Sequence, residues 1–290
     1  MSRGLQLRIG RDQAGRDLFL DLGRPGHAIF SGSTRSGKST LVYGLLAQCR
    51  GLPVQVAGLD PSGVLLNALG PDGLGGDSLR VLTLSDPKRV KSVCAELIAE
   101  MDRRINNLLL LRRDKFNPQD FSADFPLLIF LLEEFPGTLA ALQALDQASG
   151  AKPAERIETK VRATVQRWAL ESAKVGGRLW VITQRADASL LTGVLRSQLT
   201  QKFSFAQDCD GFRMLHPNIS DEQITAVSDF QPGMGYLEIT GQQPLTRFRA
   251  DFITYEQFAR IFDPSRVAAS SNGAGRVESI ERLKHKGTPL

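Results

Sequence analysis

Nine consecutive residues, Gly32-Ser33-Thr34-Arg35-Ser36-Gly37-Lys38-Ser39-Thr40, have the types and spacing needed to hold a chain of phosphates. They satisfy the pattern G-x-x-x-x-G-K-[ST] at every fixed position. Glycines at both ends let the backbone bend tightly, so that successive N–H groups point inward at anionic oxygens. A lysine at position 38 reaches the β- and γ-phosphates, and the Ser39 hydroxyl holds Mg²⁺. The cofactors this stretch calls for are ATP and Mg²⁺.

Such a loop works only between a buried strand and a helix. The preceding run His27-Ala28-Ile29-Phe30-Ser31 reads as that strand. Thr40 to Cys49 carries apolar residues at helical spacing, and Gly51 stops it. Hydrolysis needs acids as well as a cradle. The most apolar window, Phe125 to Leu132, runs directly into Glu133-Glu134. One of these acids can manage the metal and the other the attacking water. Thr183-Gln184-Arg185 also follows a buried strand, Leu179 to Thr183, and places Gln184 where it can sense the γ-phosphate or the water.

The 290 residues are 42% hydrophobic, enough for one large α/β domain or two small ones. The three cysteines (Cys49, Cys94, Cys209) are far apart, which fits a reducing compartment, buried thiols and no metal spacing. Three histidines are too scattered to form a metal site. No run is long enough to cross a bilayer, and the N-terminus lacks a secretory pattern, so the expected location is cytoplasmic, without direct membrane insertion. The net charge of +5 permits an acidic partner. Much of the excess lies in residues 266–290, where five Lys and Arg stand against two Glu.

The elements that must position these residues follow in order. Alternation over residues 1–24 predicts a hairpin, followed by the phosphate-loop strand and helix. Strands are expected over 54–61, 81–84, 126–132, 179–183, 203–205, 235–239 and 246–253. Helices are expected over 87–113, 154–174, 221–227 and 255–261. Residues 70–78, 112–124 and 143–153, together with a polar stretch around Leu190-Leu191, read as loops. Residues 266–290, rich in Ala, Ser, Asn and Gly, read as a flexible basic tail. Strands alternating with helices imply an α/β fold with a mostly parallel central sheet flanked by helices.

In this order the motifs resemble the FtsK/SpoIIIE-type double-stranded DNA translocases. The resemblance runs over roughly residues 5–262. It is carried by Ile9-Gly10-Arg11-Asp12 with Gly15-Arg16 and Asp21-Leu22, by His27 to Thr40, and by Asp60-Pro61. Glu100-Met101 with Arg103, Glu133-Glu134-Phe135, Ala173 to Arg185, Thr192-Gly193 and Phe230 to Leu237 follow. It implies a RecA-like P-loop ATPase over residues 1–265, working as a homo-hexameric ring around double-stranded DNA. It further implies Glu133 holding the metal's water, Glu134 polarising the attacking water, Gln184 reporting nucleotide state, and an arginine acting on a neighbouring subunit, Arg185 or Arg196. The family usually ends its strand in Asp-Glu, where this chain has Glu133-Glu134. The membrane-spanning part and winged-helix module of larger members are not recognisable. The chain is therefore similar to the short motors of actinobacterial plasmids, integrative elements and phages, with a membrane or mobile-element protein as a possible partner.

Two other classes compete with a motor. A non-hydrolysing, nucleotide-dependent DNA- or protein-interaction module would suit the altered acid pair. A small-molecule P-loop kinase would share the loop but not the family-like segment after residue 179.

Overall fold

The computed structural model describes residues 4–186, 191–241 and 243–263. The tail expected over 266–290 and Leu190 of the polar loop lie outside the described residues. The hairpin forms as read, from β1 (Gln6–Asp12) and β2 (Asp17–Asp21). β3 (Ala28–Ser31) is buried throughout and passes through the glycine loop into α1 (Lys38–Gln48). Gly51 follows with φ 80°, the left-handed conformation that glycine adopts without strain.

β4 (Val54–Leu59) leads to the short α2 (Val64–Asn67). β5 then spans only Arg80–Val81, not 81–84 as expected. Leu82 is exposed at this sheet edge, and Asp86 already begins the next helix, leaving no length for a longer strand. Asp86 accepts from the Lys88 and Arg89 N–H groups and caps the 24-residue α3 (Pro87–Leu110). β6 (Leu127–Leu132) is wholly buried.

Where 143–153 was expected to be loop, α4 (Phe135–Ala148) continues to residue 148. Phe135, Leu139 and Leu142 bury one face of it. Its last turn serves the next helix, α5 (Ile157–Glu171), whose N-cap Arg156 has no accepting side chain. The buried Asp146 takes that place, accepting from the Ile157 and Glu158 N–H groups at 2.9 and 3.0 Å. β7 (Gly177–Thr183) follows. The short α6 (Gly193–Gln198) and α7 (Cys209–Leu215), on either side of β8 (Gln201–Phe205), were not expected. Cys209 opens α7 and is exposed, whereas Cys49 and Cys94 are buried as expected. α8 (Asp221–Ser228), β9 (Met234–Ile239), β10 (Gln243–Ala250) and α9 (Tyr255–Phe262) complete the chain.

The strands form one sheet in the order β2-β1-β10-β9-β8-β3-β7-β6-β4-β5. From β8 to β5 every pairing is parallel, and from β9 to β2 every pairing is antiparallel. α3, α4 and α5 pack as one layer, and α1 packs with α9 as another. β3 sits between β7 and β8, with Ala28 opposite both Trp180 and Gln201, and Ser31 opposite both Thr183 and Ser204. His27 fixes the start of β3. Its Nδ1 accepts from the Leu179 N–H at 2.9 Å, and Nε2 lies 2.9 Å from the Ala169 carbonyl. Burial pushes its pKa down to about 4, helped by the charge of Arg178, so the ring is neutral.

Candidate nucleotide site

The loop between β3 and α1 is held open by close backbone approaches. A Cβ on Gly32 would lie 2.7 Å from Cβ of Phe205, and one on Gly37 would lie 2.6 Å from the Gly233 nitrogen. Arg35 has φ 64°, a left-handed conformation inside the loop. The loop is tied down by the Ser33 N–H donating to the Ala206 carbonyl (2.7 Å) and the Gly233 N–H donating to the Ser36 carbonyl (2.9 Å). The N-cap of α1 is Gly37, which offers no side chain to cap it. The first-turn N–H groups are therefore left for an anion.

Lys38 is buried, with its ammonium donating to the Gly32 carbonyl and, at 3.0 Å, to the Ser33 carbonyl. Burial lowers its pKa, and the charges of Glu134 and Glu133 oppose that shift. The Ser36 hydroxyl is buried without a hydrogen-bond partner. A glycine cradle, an uncapped helix start, an enclosed ammonium and an orphaned hydroxyl together fit a bound polyphosphate.

Two cavities meet at Ser39. One, of about 480 Å³, runs from Lys38 and Thr40 to Gly233, Arg249, Asp251 and Phe252. The other, of about 230 Å³, lies between Ser39 and Glu133. Glu133 directly follows β6 and is half-buried, and its Oε2 accepts from the Glu134 N–H at 3.0 Å. Burial, reinforced by the charge of Asp60, pushes its pKa up to about 7, while Lys38 pulls the other way. A divalent cation in this cavity would relieve the crowding of negative charge. Among the described residues no three His, Cys, Asp or Glu side chains form a metal cage. Mg²⁺ is commonly held by one or two protein oxygens, phosphates and water, and the Ser39 hydroxyl and the Glu133 carboxylate on this cavity are oxygens of that kind. Glu134 sits in the left-handed region, φ 44° and ψ 55°, at the start of α4. The backbone therefore turns between the two neighbouring acids.

The structure therefore gathers residues 32–40, Glu133 and Glu134 in one place. Gln184 joins them, with its Oε1 accepting from the Thr34 hydroxyl at 3.3 Å. Arg185 is next to it and faces Asp208 at 3.4 Å and Asp210 at 4.0 Å. Arg196 is not in this group. It lies in the last turn of α6, before the start of β8, whereas the phosphate loop leaves the other end of the paired β3. There it shares a cleft with Lys202 and Arg213. Sequence reasoning missed Tyr43, Pro232, Gly233, Arg249, Asp251 and Phe252 as lining residues. The Pro232-Gly233 pair was the one local signal of a turn that could bring backbone close to the loop.

The FtsK/SpoIIIE family model matches residues 2–134, which include the hairpin, the phosphate loop and both acids. That match takes in a little under half of the chain. The chain is 24% identical over 272 residues to the DNA translocase FtsK of Oceanobacillus iheyensis, covering 88% of this chain and 32% of that protein. It is also 24% identical over 219 residues to the Listeria monocytogenes DNA translocase FtsK, covering 70% of this chain and 26% of that protein. It thus spans about a third or less of the curated relatives it matches. Among solved structures it resembles the pCW3 conjugation coupling protein TcpA with ATPγS. The TM-score is 0.66 and the identity 16%, over 93% of this chain and 72% of that one. The cytoplasmic domain of the Thermomonospora curvata type VII secretion ATPase EccC gives TM-score 0.67 at 21% identity, over 89% of this chain and 31% of that one. The fold is that of a RecA-like P-loop ATPase. Among the described residues no helix is long and apolar enough to cross a membrane.

Proposed function

We propose that this chain is an ATP-driven motor that moves double-stranded DNA as a homo-hexameric ring. The observation that supports it best is the meeting at Ser39 of a built phosphate cradle and an acid-lined cavity. The similarity to DNA translocases supplies the substrate class. In this reading the loop N–H groups and Lys38 bind the triphosphate, and Ser39 and Glu133 hold Mg²⁺, Glu133 through water. The metal ion supplies charge neutralisation at the phosphates. Glu134 draws a proton from the attacking water. Gln184, in contact with Thr34, registers whether the γ-phosphate is present. Arg196 completes the neighbour's site, since it lies at the end of the sheet away from its own loop and has no ion pair among the described residues. Arg185 has acids of its own subunit beside it. Duplex DNA is gripped through phosphates, so binding is salt-dependent and indifferent to sequence. The DNA moved is that of a plasmid, an integrative element or the chromosome, delivered through a mobile-element or membrane partner.

ATPase rate with and without duplex DNA tests the reading. Wild type should be stimulated by DNA, and Lys38→Ala should lose turnover while keeping its circular dichroism and melting temperature. A wild-type protein that binds ATP without DNA-stimulated turnover would instead be a non-hydrolysing interaction module. Mass photometry with duplex DNA and a nucleotide analogue should show hexamers. Monomers at every nucleotide state and protein concentration would remove the ring.

A further inference from the structure

Few polar groups around the cavity between Ser39 and Glu133 are uncommitted. Asp60, beside it, is saturated. Its Oδ1 accepts from the Ser62 N–H, the Ser62 hydroxyl and the Gly63 N–H, and its Oδ2 accepts from the Leu65 and Leu66 N–H groups, all within 3.1 Å. The Ser62 hydroxyl also accepts from the Val64 N–H at 3.2 Å. One Glu133 oxygen holds the Glu134 N–H. The Ser39 hydroxyl, the second Glu133 oxygen and the phenol of Tyr43 remain. Each belongs to a residue lining the cavity, and neither hydroxyl has a hydrogen-bond partner among the described residues.

Tyr43 is placed there by α1. It lies one turn after Ser39, on the same face, and long helical side chains lean back over the preceding turn. Its ring is fixed from the other side by α9. It stacks on Phe258 at 4.8 Å and meets Tyr255 edge-on at 5.8 Å. Tyr255 in turn donates to the carbonyl of Val64, another residue of the cavity wall, at 3.3 Å. Burial and the nearby charges of Glu133, Tyr255 and Asp60 push the phenol up to about 12, so it stays protonated at neutral pH.

We propose that Tyr43 is a positioning residue of the metal pocket, donating its O–H to the free oxygen of Glu133 and accepting from the water shell of Mg²⁺. The proposal rests on the Mg-ATP reading of the site. Glu133 is a half-buried acid with one internal donor, and the Tyr43 phenol on the wall of the same cavity can turn to supply a second donor without adding charge. Mg²⁺ keeps its waters in such sites and is oriented by their hydrogen-bond partners.

The test is equilibrium binding of a non-hydrolysable ATP analogue, followed by calorimetry across a Mg²⁺ titration and again in EDTA. Tyr43→Phe keeps the stacked ring and removes one oxygen. Its Mg²⁺ midpoint should rise about tenfold, the scale of losing an outer-shell partner, with affinity in EDTA and melting temperature unchanged. Tyr43→Ala should raise the midpoint at least as far and also lower the melting temperature. If wild-type binding depends on Mg²⁺ and Tyr43→Phe has the same midpoint, the proposal is overturned while the Mg-ATP reading stands. If wild-type nucleotide binding ignores Mg²⁺, that reading falls and takes the proposal with it.

Discussion

The neighbouring parallel strands β4 and β6 each run into a carboxylate, and the two carboxylates are held in opposite ways. Asp60, after β4, is fully buried and accepts five hydrogen bonds from the turn it organises. Glu133, after β6, accepts one, and its pKa is pushed up to about 7. A fully bonded carboxylate is structural, because nothing remains on it for a ligand. A half-buried carboxylate with a free oxygen is unfavourable in the empty fold and useful once a cation arrives. The same strand end thus yields a fastener in one place and a reactive position in the other. The difference lies in the next residues: Ser62 and Gly63 wrap back onto Asp60, whereas Glu134 and Phe135 lead away into α4.

The contrast can be broken most forcefully at Glu134. Glu134→Gln should bind ATP and lose roughly two to four powers of ten in turnover. Glu133→Asp should remain within about tenfold of wild type, because a metal contact through water tolerates a shorter acid. Single-turnover assays with bound nucleotide measured separately decide this. Normal turnover in Glu134→Gln beside a dead Glu133→Gln would exchange the two roles.

A second measurement compares the two strand ends by stability. Asp60→Asn turns an amide N–H toward donors and should cost about 2–3 kcal/mol, a fall of roughly 5–10 °C in melting temperature at this chain length. Glu133→Gln should melt at or above the wild-type temperature in EDTA, since it removes a poorly partnered charge. If Asp60→Asn melts like wild type, Asp60 is not the fastener described here.

The smallest effect is in pH. The folded pKa of Glu133 lies above the ordinary 4.5 of a glutamate. Its stabilising contribution is therefore fully present below about 4.5 and is lost as pH rises through about 7. Between pH 5 and 8, in EDTA, wild type should lose about a few degrees relative to Glu133→Gln. A constant difference across that range would mean Glu133 titrates as an ordinary exposed acid.

The parts of the site that were legible in the sequence are those that chemistry requires to be contiguous. The phosphate loop is nine adjacent residues, and the acid pair directly follows a six-residue apolar strand. The wall opposite the loop was not legible, since Gly233 and Phe252 come from a hairpin some two hundred residues later and only the sheet order brings them near. Tyr43 looked like one more apolar position of α1, because periodicity cannot tell a core ring from one with its hydroxyl in a cavity. α6 and α7, six and seven residues long, are shorter than the window over which helical periodicity shows. α4 was obscured by Phe135-Pro136-Gly137, which resembles a turn and is in fact a helix start after a left-handed residue.

The seating of β3 has a consequence for synthesis. Its neighbours are β7 and β8, so the strand that launches the phosphate loop has no sheet partner in the first half of the chain. As the chain leaves the ribosome, the nine loop residues emerge early but stay without their frame until Phe205 has followed. The Gly233 backstop and the Phe252 wall come later still. Long-range pairing of this kind folds late. A finished phosphate cradle is thereby withheld from the nascent chain. A product truncated before β7 would contain the complete motif and have nothing on which to build the cradle.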